Sequence, residues 1–181
     1  MKKNVVIVGL GLMGGSMAMA IHKYTDCAVY GWNRTRAVAE QAVQDGVLDG
    51  LAGENEIANA DYLIISLYPQ STVDFLLEHM PRMKKGAIIV DLVGVKRFMQ
   101  DHLEQAAVQA GVHFIGGHPM AGKEFSGYAF ADADLFRDAS MILVPNASSP
   151  LWAVDEMDGF FMGLGFARVV RCSAEQHDHM I

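Results

Sequence analysis

Residues 5–14 read Val-Val-Ile-Val-Gly-Leu-Gly-Leu-Met-Gly. A short continuous apolar run stopped by glycine suits a strand buried on both faces, as in a parallel sheet. From Met13 to about Tyr24 the sequence is compatible with a helix. Strand, Gly-x-Gly-x-x-Gly turn and helix in that order form a dinucleotide-binding fingerprint in its required setting. Gly9 permits the tight turn, Gly11 keeps side chains away from a pyrophosphate, and Gly14 lets the helix pack closely on the sheet. Leu10, Leu12 and Met13 complete the turn. The free N–H groups at the helix start, with the helix dipole, favour the anion. A glycine turn that serves packing alone is the competing reading.

Outward from this turn, strand and helix signals alternate. Strands are expected at 28–32, 62–67, 87–91 and 112–115, with helices at 35–44, 69–80 and 95–110 between and after them. Later strands are expected at 140–144 and 166–171, around a helix at 151–162. This order predicts an α/β fold: a Rossmann-type, doubly wound, mostly parallel sheet with helices on both faces. The chain of 181 residues is 51% apolar, enough for one well-filled domain. Its 14 basic and 21 acidic residues give a net charge of -7 without a basic run, which argues against nucleic acid as a partner. No apolar run is long enough to span a bilayer, so no membrane partner is expected. Cys27 and Cys172 follow no metal spacing and read as free thiols in a reducing compartment, the cytoplasm. The Met1-Lys2-Lys3 start imitates a signal peptide, but glycines interrupt the apolar segment that follows.

The end of the second strand bears on the choice of cofactor. An acidic residue there would accept bonds from a ribose 2′-hydroxyl and repel a 2′-phosphate. This chain has Asn33-Arg34-Thr35-Arg36 instead. An amide, a hydroxyl and two guanidinium groups suit a phosphate dianion, so NADP is expected ahead of NAD. Alternatively, Arg34 and Arg36 are ordinary solvated residues at a helix start, and Trp32 either covers an adenine or simply packs. Ser66, Leu67, Tyr68 and Pro69 follow one strand, and Val93, Gly94 and Lys96 follow another. Both segments are expected at the carboxyl edge of the sheet, lining the ribose and nicotinamide.

Residues 116–127, GGHPMAGKEFSG, are expected to form a loop at the same edge. Neutral imidazole is suited to accept a hydroxyl proton, so His118 is the candidate general base. Glu124 is a second catalytic candidate, able to orient His118, fix its charge state or bind substrate. Pro119 and Gly122 would shape the loop, and Gly122 would let the cofactor ring approach. A structural, hydrogen-bonded His118 and a merely solvated Glu124 are the bland alternatives, and solvation is the expected role of Lys123. His22, His79, His102 and His113 have no evident partners, while His177 and His179 do not share a helical face. No metal site is expected.

Three segments together, GLGLMGGS near the start, GGHPMAGKEFSG in the middle and SAEQHD near the end, resemble the prephenate and arogenate dehydrogenases of tyrosine biosynthesis. The resemblance covers essentially the whole chain, as that family's N-terminal nucleotide-binding domain. It implies oxidative decarboxylation of prephenate or arogenate with NAD⁺ or NADP⁺. Hydride leaves the ring carbon bearing the hydroxyl, carbon dioxide departs and the ring becomes aromatic. His118 would polarise or deprotonate that hydroxyl, and Glu124 matches an acidic residue near the site entrance. The resemblance departs at Gly94, where family members often carry a serine that helps hold the histidine and substrate. A bridging water is one substitute.

Ser173-Ala-Glu-Gln176 reads as a capping box opening a helix shortly before the sequence stops at Ile181. The expected organisation is a nucleotide-binding domain over 1–172 and, over 173–181, the start of a helical domain that is otherwise absent. By resemblance that domain makes a homodimer and completes the substrate site, so the chain alone should bind cofactor yet turn over poorly. Two rival readings stand beside this one. A β-hydroxyacid dehydrogenase shares the glycine turn and the Asn-Arg-Thr signature but lacks the HPMAGKE segment. A nucleotide-sensing domain would use the fold without chemistry.

Overall fold

The computed structural model describes residues 2–181, so the unit expected over 1–172 is seen from Lys2 onward. The first strand, β1 (Asn4–Val8), places Val5 and Ile7 on one face and Val6 and Val8 on the other, all without exposure. Two faces thus need covering, and two separate apolar clusters cover them. Helix α1 (Leu12–Tyr24) and strand β2 (Ala28–Trp32) follow, then α2 (Arg36–Gln44), β3 (Gly50–Leu51) and α3 (Glu54–Ala58). Next come β4 (Tyr62–Ile65), α4 (Pro69–His79), β5 (Ile88–Asp91), α5 (Arg97–Ala110) and β6 (His113–Met120). The chain closes with β7 (Ser140–Val144), α6 (Leu151–Met162), β8 (Arg168–Arg171) and α7 (Ala174–Met180). One cluster takes residues of α1, α2 and α6, the other residues of α3, α4 and α5, so helices do lie on both faces.

The eight strands lie in the order β3-β2-β1-β4-β5-β6-β7-β8. The first six are parallel in the 3-2-1-4-5-6 order of a dinucleotide-binding sheet. β7 runs antiparallel to β6, and β8 runs parallel to β7. Strict strand–helix alternation therefore fails once, between β6 and β7, where a loop with one 3₁₀ turn at Tyr128–Phe130 replaces a crossover helix.

The same pairing corrects the expected loop at 116–127. Its first five residues, Gly116 to Met120, are strand, because β7 offers them an antiparallel partner: Gly117 opposes Leu143 and His118 opposes Ile142. Pairing with β5 ends at Gly116, opposite Asp91. Beyond it β6 has an edge, which tolerates Pro119. His118 thereby stands on a strand, past the carboxyl ends of its parallel neighbours. Two short elements, β3 and α3, carry little pattern in the sequence and went unexpected.

Candidate functional site

The glycine turn folds as its residue types require. Gly9 has φ +90°, and a Cβ there would stand 2.3 Å from the Ser66 carbonyl oxygen. A Cβ on Gly14 would stand 1.7 Å from the Gly9 carbonyl oxygen, so helix and turn touch through hydrogen atoms alone. Gly11 faces open space and is exposed. The turn is a cradle closed on its protein side and open where an anion would lie, which fits a dinucleotide pyrophosphate. Asn33 braces it: its Oδ1 accepts the Leu10 N–H at 2.8 Å, and its Nδ2 donates to the Thr35 carbonyl at 3.0 Å. Leu10 itself points into the core, while Leu12 and Met13 begin α1 half-buried.

A cleft of about 750 Å³ opens beside the turn, lined by Gly9–Gly11, Trp32–Arg34, Ser66–Tyr68 and one face of α4. The structure thus brings together three of the expected cofactor segments. Arg34 is the one lysine or arginine among the lining residues, and Asp74 and Glu78 of α4 also line the cleft. Thr35 and Arg36 are exposed at the start of α2, and the Thr35 side chain makes no cap bond there. Tyr68 is 86% exposed and Pro69 is the first residue of α4. Trp32 packs on Phe75, with ring centroids 5.1 Å apart, and Phe75 stacks on His79 at 4.1 Å. The α4 contribution was readable as Ser71, Asp74, Phe75 and Glu78, spaced three and four apart on one helical face.

After β5 the site changes character. Val93 is buried and its N–H donates to Asp91 Oδ2 at 3.0 Å. Lys96 is 1% exposed and its ammonium pairs with that same carboxylate. Burial pushes the Asp91 carboxyl up and the Lys96 ammonium down, each opposed by the partner's charge. The Lys96 side chain therefore lies beneath the rim, away from the cleft. Gly94 is exposed beside the His118 ring, and a Cβ there would stand 4.0 Å from His118 Cε1. Among the described residues Glu124 has no hydrogen-bond or ion-pair partner, and Gly122 faces open space. Lys123 bonds the Phe130 carbonyl at 2.9 Å and lies 3.5 Å from Asp132, bracing its own loop.

The residue that engages His118 comes from α7. His118 Nδ1 lies 2.7 Å from His177 Nε2, and His177 Nδ1 lies 2.7 Å from Asp178 Oδ1. His177 has no exposure. Asp178 also accepts the N–H groups of Lys96 at 2.9 Å and Arg97 at 3.0 Å, capping α5. Burial alone would raise the Asp178 carboxyl, but the Arg97 amide, the His177 ring and the Lys96 amide outweigh it and hold it below its usual value. For His118, burial first, then the neighbouring His177 and Lys96, push the imidazole down to about 4. It is therefore neutral near pH 7, and among the described residues its Nε2 has no partner. Sequence spacing could not reveal His177, because its partner lies 59 positions away. Two pointers were the Ser173–Gln176 capping box, which the structure contains and which starts α7, and the SAEQHD segment, which holds His177 and Asp178.

His118 and the glycine cradle share the carboxyl rim of one sheet. β1 and β6 are separated by β4 and β5, so the two lie three strand spacings apart, roughly 14 Å. Among the described residues no group of three or more His, Cys, Asp or Glu could hold a metal ion, and no helix is long and apolar enough to cross a membrane.

The sequence profile described as prephenate dehydrogenase, nucleotide-binding domain, matches residues 17–170. Prephenate dehydrogenase of Bacillus subtilis (strain 168) is 32% identical over 183 residues, covering 98% of this chain and 48% of the relative. Cyclohexadienyl dehydrogenase of Zymomonas mobilis is 31% identical over 189 residues, covering 99% of this chain and 61% of the relative. The chain thus spans about half to three-fifths of these relatives' lengths. Among solved structures, A. aeolicus prephenate dehydrogenase in complex with hydroxyphenyl propionate and NAD+ matches with a TM-score of 0.90 at 25% identity, over 99% of this chain and 63% of that one. Synechocystis arogenate dehydrogenase matches with a TM-score of 0.88 at 26% identity, over 98% of this chain and 62% of that one.

Proposed function

The chain belongs to the prephenate dehydrogenase family, as its nucleotide-binding domain, and on that premise we propose that it serves the oxidative decarboxylation of prephenate or arogenate. In this reading the cradle of Gly9, Gly11 and Gly14 holds the pyrophosphate of a nicotinamide dinucleotide, and Ser66–Tyr68 border its path along the rim. When bound, that cofactor accepts a hydride from the substrate ring. The protein's own task is the proton. His118 Nε2 accepts it from the ring hydroxyl, so the carbonyl can form as the carboxylate is lost as carbon dioxide. Glu124, exposed on the loop after β6, is free to meet the substrate at the entrance. NADP is the preferred cofactor, with Arg34 in the cleft and the Thr35 hydroxyl and Arg36 beside it as the group that grips a 2′-phosphate. The acids Asp74 and Glu78 across the cleft work against that preference and limit its size.

The observation that carries this reading is the half-buried His118 ring on the rim that also bears the glycine cradle, with Nδ1 engaged by His177 and, among the described residues, Nε2 unpartnered. The test uses the full-length protein, for which we propose a further helical domain and a homodimer. Turnover of prephenate and arogenate with NADP⁺ and NAD⁺ should require His118. Equal turnover by wild type and His118→Asn would refute the proposed base.

A further inference from the structure

Asp178 is fixed as an acceptor from two sides. The backbone N–H groups of Lys96 and Arg97 can only donate, and both point at its carboxylate. His177 Nδ1, on the same oxygen as the Lys96 amide, must therefore carry a hydrogen and donate it. A neutral imidazole has one N–H, so His177 Nε2 is left as an acceptor. His177 is wholly buried beneath the rim, with one ring nitrogen on Asp178 and the other on His118. The group 2.7 Å from that acceptor is His118 Nδ1, which must then be the protonated nitrogen of its own ring. This assignment leaves His118 Nε2 bare. Among the described residues no other side chain is hydrogen-bonded to the His118 ring. Gly94, the residue beside Cε1, has no side chain, and β6 holds only the backbone of His118.

From this we infer that His177, itself oriented by Asp178, is the positioning residue for His118: it sets the ring's direction and tautomer so that Nε2 faces the rim as a hydrogen-bond acceptor. Because Asp178 also caps α5, the same carboxylate ties the base to the helix that follows the Val93–Lys96 segment. The chemical meaning of the bare nitrogen rests on the reaction proposed above, whereas the tautomer does not.

The direct test is nitrogen-15 NMR of the imidazoles in the 181-residue chain at pH 8, which distinguishes the two neutral tautomers. His118 is expected in the Nδ1–H form. His177→Gln, whose side-chain oxygen can still accept, should keep that form, while His177→Phe should release the ring to a mixture. In the full-length enzyme His177→Phe should lower kcat about 100-fold, with dinucleotide affinity unchanged and most of the turnover recovered in His177→Gln. A wild-type His118 in the Nε2–H form, or a folded His177→Phe enzyme with wild-type kcat, would overturn the inference. Should the Phe variant not fold, the wild-type spectrum alone decides. An Nδ1–H spectrum together with an active His118→Asn enzyme would remove the proposed base and leave the positioning role standing.

Discussion

The two ends of the carboxyl rim are made differently. Around β1 and β2 the site is backbone: amides of one turn, a carbonyl-tight glycine contact and an asparagine that closes the turn. Around β5, β6 and α7 it is side chain: His118, His177, Asp178, Asp91 and, from the start of α5, its N-cap Lys96, largely buried. A pyrophosphate is a fixed anion that aligned amides can hold. A proton acceptor must instead be tuned, which takes burial and neighbours. The contrast teaches that binding and chemistry on this sheet should separate under mutation.

The largest effect should come from the side-chain end. His118→Asn in the full-length enzyme should cost about 10²- to 10⁴-fold in kcat, while titration still shows wild-type affinity for the dinucleotide. A parallel loss of cofactor affinity would erase the distinction between the two ends. Lys96→Ala leaves Asp91 buried without its partner and should destabilise the chain by about 3–5 kcal/mol, read as a shifted urea midpoint. Arg34→Ala acts at the backbone end. It should weaken NADP⁺ by about tenfold, the scale of one charge-assisted contact, and leave NAD⁺ and kcat nearly unchanged. Equal losses for both cofactors would remove the phosphate-gripping role.

Acidity probes the tuning itself. With the His118 pKa lowered to about 4, the neutral ring should survive well below the free histidine value of about 6.5. The acid limb of kcat/KM should therefore lie below that value. The same sign governs folding. Stability that His118 contributes by staying neutral is full above about 6.5 and is lost as pH falls toward about 4. The smallest effect is expected for Gly94→Ser. Its Cβ meets His118 Cε1 at ordinary contact distance, 4.0 Å, so kcat should change by less than about threefold.

The same division explains what the sequence disclosed. The glycine turn was legible because one strand, one turn and one helix start are contiguous, and each glycine answers a local steric demand. The strands Ala28–Trp32 and Ser140–Val144 and the helix Leu151–Met162 were legible from apolar patterning, which needs no distant partner. The strand character of Gly116–Met120 was hidden, since its glycines and proline argue for a loop and only β7 overrules them. His118 stood out by its setting at the sheet edge, yet His177 did not. A buried histidine pair is a tertiary event, and one imidazole in a short helix looks like any other. Lys96 was expected among the cofactor contacts from its place after β5, but the buried carboxylate of Asp91 holds its side chain.

The central claim is that a nucleotide on the glycine cradle and the imidazole of His118 occupy one rim. Titrating the nitrogen-15-labelled chain with NADP⁺ and following the Gly11 amide, the His118 ring and the His113 ring tests it most directly. Gly11 and His118 should move together with a single dissociation constant, while His113, at the opposite end of β6, stays still. A shifted Gly11 with an unmoved His118 at saturation would contradict the account.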